Sequence, residues 1–193
     1  MKRIAVFCGS SLGFSEIYQL EAEKLGAYFC EHEIDMVYGG GKIGMMGAIA
    51  NAMIKNNGVV IGVIPELLEH EEVMHDGVEE MIVSKSMSDR KVIISKLVDG
   101  YIALPGGFGT LDELFEALTL SQLGIEHKPV GILNTNGFFD HTLAQLDVMV
   151  AEGFLKASNR AMLLVASTVD DLLVQMRDYR EPIQTKIIDK VVR

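Results

Sequence analysis

Two charged residues, Glu113 and Arg90, sit in contexts that folding alone explains poorly. Glu113 lies in "ALPGGFGTLDELFEAL" (Ala103 to Leu118), where three glycines and a threonine fill five positions before an amphipathic, acidic helix pattern begins. Thr110-Leu111-Asp112-Glu113 has the spacing of a capping box, with Thr110 at the N-cap and the glutamate three residues on. That spacing accounts for Glu113 without any chemistry. It leaves unexplained the doubled glycine before it and the proline that stiffens the exit from the preceding strand. A carboxylate in a first helical turn is also favoured by the helix dipole and biased toward its charged form. Such a group suits work as a base, or as a partner for a developing cation, better than work as an acid. Arg90 lies in "SMSDRK", which reads as a helix entry with Ser88 at the N-cap and apolar Val92, Ile93 and Leu97 following. A guanidinium in a first turn opposes the dipole at a cost of a few tenths of a kcal/mol. Near an anion site, that placement points to function.

An anion site is what the glycines suggest. They gather in three places, each after a short apolar run: "GSS" (Gly9, Ser10, Ser11), "GGGKIG" (with Gly40 and Gly41) and "PGGFGT" (with Gly106, Gly107 and Gly109). Glycine lets a ligand approach the backbone amides closely, and a loop that enters a helix turns free N–H groups and the positive end of the dipole toward it. A phosphate can be held this way without lysines. The amides of Gly107, Gly109 and Thr110 are the expected grip, completed by the glycines after Tyr38. Tight turns alone are the alternative for any one loop; three loops with one composition favour one site.

Other chemistries fit less well. Gly39, Gly41 and Gly44 match G-x-G-x-x-G, and Glu66 lies 22 residues past Gly44. In a dinucleotide fold, however, the pattern follows the first strand, and here it follows the second. The triphosphate P-loop fails because Ile43, not Ser or Thr, follows Lys42. His70 and His75 are five residues apart, about 140° round a helix, so "HEEVMH" does not form the zinc pair of H-E-x-x-H. No metal site is expected. Cys8 has no histidine partner in an obvious position and reads as a buried strand thiol.

The elements that must position these residues alternate along the chain. "RIAVFC" (Arg3 to Cys8), "DMVY", "VVIGVI" (Val59 to Ile64), "EMIVS", "YIAL", "PVGIL" and "MLLV" read as strands. Helical patterns lie between them, the first from about Ser15 with Ile17, Leu20, Leu25 and Tyr28 on one side. This alternation predicts an α/β fold: a single Rossmann-like domain with a mainly parallel sheet and helices on both faces. The glycine loops fall at the carboxyl ends of their strands, the edge where such sheets bind ligands. With 193 residues and 49% hydrophobic content, one core is expected. The domain should span residues 1–180, with a polar tail at 181–193. The net charge of −10 argues against nucleic acid and anionic membrane as partners. The longest apolar stretches are too short for a membrane span or a signal peptide. Two cysteines, Cys8 and Cys30, suggest reduced thiols and a cytoplasmic location.

The motifs also carry a resemblance. "PGGFGTLDE" is similar to the P-G-G-x-G-T-x-x-E signature of the LOG ("Lonely guy") family of cytokinin riboside 5′-monophosphate phosphoribohydrolases. "CGSS", "VYGGGKIGMMG", "GVIP", the Arg90–Lys91 pair, "QLGIEHKPVGILN" and "EGF" agree with it, so the similarity runs from about Lys2 to Leu173. The resemblance implies an N-glycosidase that cleaves a purine nucleoside 5′-monophosphate to the free base and ribose 5-phosphate, with no cofactor. It implies Arg90 and Glu113 as the catalytic pair. Nucleotide contacts would fall on Lys91, on Gly107, Phe108, Gly109, Thr110, Leu111 and Asp112, on Thr119 and on Glu72. It further implies a homodimer. Members are often labelled lysine decarboxylases, a reaction that would need a pyridoxal phosphate site the sequence does not offer. Ser88 stands where a histidine is common and Leu120–Ser121 where tryptophan–alanine is, which bears on base preference. Two readings from other classes stay open: a non-catalytic carrier or sensor of a nucleotide or phosphorylated cofactor, and an NAD-linked oxidoreductase.

Overall fold

The computed structural model describes residues 1–69 and 74–180. Within them the chain runs β1 (Arg3–Phe7), α1 (Glu16–Glu31), β2 (Asp35–Tyr38), α2 (Gly44–Lys55), β3 (Val60–Pro65) and the short α3 (Glu66–Glu69). It continues through β4 (Glu80–Ser84), α4 (Met87–Leu97), β5 (Gly100–Ala103), α5 (Phe108–Gln122), β6 (Val130–Leu133) and a 3-10 turn at Thr135–Gly137. α6 (Asp140–Ala151), α7 (Ala157–Arg160), β7 (Leu163–Ala166) and α8 (Val169–Asp178) complete it. The seven expected strands are present, with ends displaced by a residue in several cases. The expected tail, together with His70 and Glu72, lies outside the described residues.

All strand pairings are parallel, in the order β4-β3-β2-β1-β5-β6-β7. Alternation along β1 shows how the sheet is covered. Ile4, Val6 and Cys8 face a core completed by α1, α2 and α8, whereas Ala5 and Phe7 face one completed by α4, α5 and α6. Both faces are buried, so the central strands read as unbroken apolar runs. β1 is central: it pairs with β2 on one side and β5 on the other. The strand order reverses there, and the crevice beyond the strand ends at such a point is where this class of sheet binds ligands. The three glycine loops leave β2, β1 and β5, three adjacent strands.

One helix face differs from expectation. α1 buries Ala22, Leu25, Gly26 and Phe29, whereas Ile17 and Leu20 are exposed. The small residues decide this. A Cβ at Gly26 would come within 3.1 Å of the Ile49 carbonyl oxygen, so α1 and α2 pack backbone to backbone and the larger residues turn outward.

Candidate active site

The β1 loop is held from both sides. The Gly9 N–H donates to the Pro105 carbonyl at 3.1 Å, tying it to the β5 loop, and the Met45 N–H donates to the Gly9 carbonyl at 3.0 Å, tying it to the start of α2. Gly44 lies so close to Ser10, at φ +64°, that any side chain there would strike the Ser10 carbonyl. These ties set the glycine loops side by side along the crevice.

α5 starts earlier than the capping-box reading predicts. Its N-cap is Gly107, whose carbonyl accepts the first helical hydrogen bond from the Leu111 N–H at 3.2 Å. Thr110 is therefore inside the first turn, not the N-cap, and Glu113 is in the second turn. The Thr110 side chain is buried under Gly106, where an added Cβ would collide with its hydroxyl. Gly107 supplies no capping side chain and the first turn holds no acidic residue. The amides that open the helix are thus left for a ligand. Gly107 and Gly109 identify the side: a Cβ at either would meet no protein atom within 4 Å. Their glycines leave room for something outside the chain.

Beside these amides lies the charged pair. Arg90 Nη2 donates to Glu113 Oε1 at 2.7 Å, and both residues are buried, at 9% and 8% exposure. Burial pushes the Glu113 carboxyl above its ordinary range, the Arg90 guanidinium pulling the other way. The expected bias toward the charged form drew on a first-turn position; Glu113 lies one turn further in, and desolvation sets the direction of its shift. α4 also starts earlier than expected, with Ser86 and not Ser88 as its N-cap, accepting from the Asp89 N–H at 3.1 Å. The Arg90 guanidinium lies on Gly39, where a Cβ would stand 2.5 Å from Nη2. Its Nε is buried and without a partner.

A cavity of about 230 Å³ joins these groups, lined by Gly9, Ser10, Gly39, Arg90, Gly107, Phe108, Gly109, Thr110, Asp112 and Glu113, with Val6, Cys8, Met46 and Met87 as its apolar surface. Sequence reasoning did not single out Met46 or Met87 as site residues. Their signal was proximity: each stands within three residues of a motif residue, Gly44 or Arg90. Burial and the Glu113 carboxylate push the Cys8 thiol up, which disfavours the thiolate that a nucleophile needs.

Other expected contacts fall elsewhere. Gly40 and Gly41 do not line the cavity. Gly40, at φ +77°, accepts from the His75 N–H at 2.9 Å, and Gly41 bridges to Met74, so both seat the segment before β4. A Cβ at Gly39 or Gly41 would strike Arg90 or Met46, and one at Gly40 would crowd Met81 and Ile64, so these glycines make room for protein side chains. Lys91 is drawn to the other side of Glu113, 2.6 Å from Glu116 and 3.2 Å from Asp112. Glu116 is the main reason that its ammonium pKa is raised. Leu111 packs into the core, Ser11 borders a neighbouring cavity, and Thr119 is exposed with its hydroxyl donating to the Phe115 carbonyl at 2.7 Å. Glu72 lies outside the described residues.

Fold and site together define an α/β protein with open helix-start amides beside a buried arginine–glutamate pair. The family model described as "Possible lysine decarboxylase" matches residues 46–176. The cytokinin riboside 5′-monophosphate phosphoribohydrolase LOG of Oryza sativa subsp. japonica is 43% identical over 178 residues, 92% of this chain and 74% of that protein. Its relative LOG7 of Arabidopsis thaliana is 41% identical over 191 residues, 99% of this chain and 88% of that protein. The chain belongs to the LOG family. Among solved structures, the molybdenum cofactor binding protein of Rippkaea orientalis superposes with a TM-score of 0.69 at 22% identity, covering 91% of this chain and 95% of that one. The Moco carrier protein of Chlamydomonas reinhardtii gives 0.68 at 23%, with the same coverage. At these identities the likeness establishes the shared fold.

Proposed function

We propose that the protein hydrolyses the N-glycosidic bond of a purine nucleoside 5′-monophosphate, adenine or an N6-modified adenine being the base, to give the free base and ribose 5-phosphate. The observation that carries this reading is the buried Arg90–Glu113 pair, 2.7 Å apart, beside the open amides of α5. The activity in the names of its relatives supports it. The 5′-phosphate is held by the amides of Gly107, Gly109 and Thr110, which places the sugar against the pair. Cleavage passes through a sugar with oxocarbenium character. Glu113 steadies that cation and takes a proton from water as its oxygen attacks the anomeric carbon. The pair of electrons from the breaking bond leaves with the base, which recovers the proton. A carboxylate with a raised pKa is the stronger base for that step. Arg90, with Nε still free to donate, binds the phosphate or the departing base. The cavity lining includes no lysine among the described residues, so no amine is placed there to hold pyridoxal phosphate for a decarboxylation.

The active form in this reading is a homodimer. Beyond Glu113, a second cavity lined by Phe7, Ile94, Ala117 and Leu120 opens beside Val92 and Ile125, which are 51% and 64% exposed. A second copy on this α4–α5 face buries that apolar surface and brings exposed Thr119 toward substrate. Free Cys8 and Cys30 suit a reducing compartment, and the cytoplasm is the proposed location. No helix among the described residues is long and apolar enough to cross a membrane.

The test is a panel of adenine and N6-substituted adenine nucleosides and their mono-, di- and triphosphates, with products separated chromatographically. Release of base and ribose 5-phosphate from monophosphates, and none from nucleosides, is the expected result. Monophosphate retained without release of base would leave a carrier and not an enzyme.

A further inference from the structure

The amide cradle has two sides. The neighbouring cavity that Ser11 borders, of about 290 Å³, shares Gly9, Ser10 and Gly107 with the catalytic one and extends away from Arg90 and Glu113 toward Leu12, Tyr18, Met45 and Phe138. Gly107 stands where the two meet, and nothing in the protein occupies the space a side chain would fill there. The seat for a phosphoryl group is thus open on its far side, not closed around a terminal phosphate.

The far chamber has its own chemistry. Tyr18 and Phe138 meet edge to face, ring centroids 5.9 Å apart, an arrangement that leaves ring surface for a further aromatic group. Ser10 and Ser11 line it, the Ser11 hydroxyl accepting from the Gly13 N–H at 3.3 Å, and among the described residues the two serine backbone N–H groups make no hydrogen bond. Apolar and aromatic walls with a few polar groups at one end are what a planar heterocycle needs. The position agrees: the two chambers lie on either side of the β1 loop at the point where strand order reverses, the place at which doubly wound sheets hold dinucleotides.

We infer that the far chamber is a second ring-binding subsite for diphosphate-linked dinucleotides, with one nucleotide in the catalytic chamber, the diphosphate across Gly107 and the second ring against Tyr18 and Phe138. The inference rests on the phosphate seat of the proposed function and adds a ligand class to it. No redox step is involved. Such dinucleotides compete with monophosphate substrate.

Two measurements on the purified full chain test this, with NAD as the probe. In the first, NAD competes against AMP cleavage, read as ribose 5-phosphate, and is compared with ADP, which has the second phosphoryl group and no second ring. NAD is expected to inhibit at least tenfold more tightly than ADP. Tyr18→Ala and Phe138→Ala should each bring its inhibition constant toward that of ADP and leave kcat/KM for AMP within twofold. The second is equilibrium dialysis of NAD with wild type and both variants, which reads binding whether or not AMP is cleaved. Cleavage of AMP with NAD no tighter than ADP, or with NAD binding unmoved in both variants, overturns the subsite alone. Absence of cleavage with NAD bound and lost in the variants overturns the activity and leaves the subsite standing.

Discussion

At the residue scale, glycines that look alike in sequence do different work. Gly44 and Gly106 are glycine because other protein atoms fill the place of their side chains, whereas Gly107 faces open space. Gly107→Val should therefore leave the melting temperature close to wild type and raise KM for a monophosphate by tenfold or more, a split that steady-state kinetics and calorimetry read directly. A loss of stability with unchanged KM would make Gly107 a turn residue only. Glu113 supports a second expectation. Its carboxyl is pushed above the ordinary value of 4.5, and the ionised form is the base, so the rate climbs with pH as the proton leaves. The acidic limb of the pH–rate profile should consequently lie above the range of a solvated glutamate. Glu113→Gln retains an acceptor for Arg90 and should cut kcat by about 10²–10⁴ with little unfolding. Glu113→Ala is the poorer probe, because an unpaired buried guanidinium costs about 3–5 kcal/mol. The two residues singled out in the sequence meet in the structure, and both of their helices start earlier than the sequence suggests. The T-x-x-E spacing fits a capping box; what excludes it is the helix start at Gly107, and the partner that Glu113 takes instead, Arg90, is 23 positions away, where no local pattern reveals it.

At the element scale, the helix and strand periods were legible because a parallel sheet covered on both faces leaves long apolar runs, and strand ends shifted by only a residue. The outward-facing sides of helices were harder to read. Ile17 and Leu20 look like core positions until Gly26 brings α2 against the other face of α1. Gly40 and Gly41 were assigned to ligand because the pattern resembles a phosphate loop, yet they receive the chain segment before β4. His75 fastens that segment: its N–H reaches the Gly40 carbonyl, its ring accepts from the Gly77 N–H at 3.1 Å, and its Nε2 lies 3.2 Å from Asn51 Oδ1. This network needs a neutral ring with the proton on Nε2. Burial is the main cause that lowers the His75 pKa below 6.5, with Asp76 opposing and Lys42 reinforcing. The unfolded chain thus takes up a proton near pH 6.5 while the folded chain resists until lower pH. Stability from this group is complete above that value and is lost as pH falls through it. The melting temperature of wild type relative to His75→Gln should therefore drop between pH 7.5 and 5.5. A constant difference across that range would mean that the ring does not titrate with folding.

At the scale of the whole molecule, an acidic protein is proposed to bind an anion. The net charge is −10, and the one cation lining the proposed catalytic cavity among the described residues, Arg90, is already paired with Glu113. Lys91 is likewise occupied by Asp112 and Glu116. With Arg90 already paired, the proposed attraction for phosphate rests chiefly on amides and the α5 dipole, which act within a turn of the helix. At longer range the substrate meets a repulsive field. That field is screened over about 10 Å at 0.1 M salt, whereas contacts inside the cradle are screened far less. Raising ionic strength from about 10 to 150 mM with a weakly coordinating salt should hence increase kcat/KM for a monophosphate several-fold and leave kcat at saturation unchanged. Enzymes that gather phosphates with exposed lysines behave in the opposite way, because salt weakens their steering. A fall in kcat/KM over the same range would mean that a cationic surface guides substrate inward, and the amide cradle would lose its place as the source of affinity.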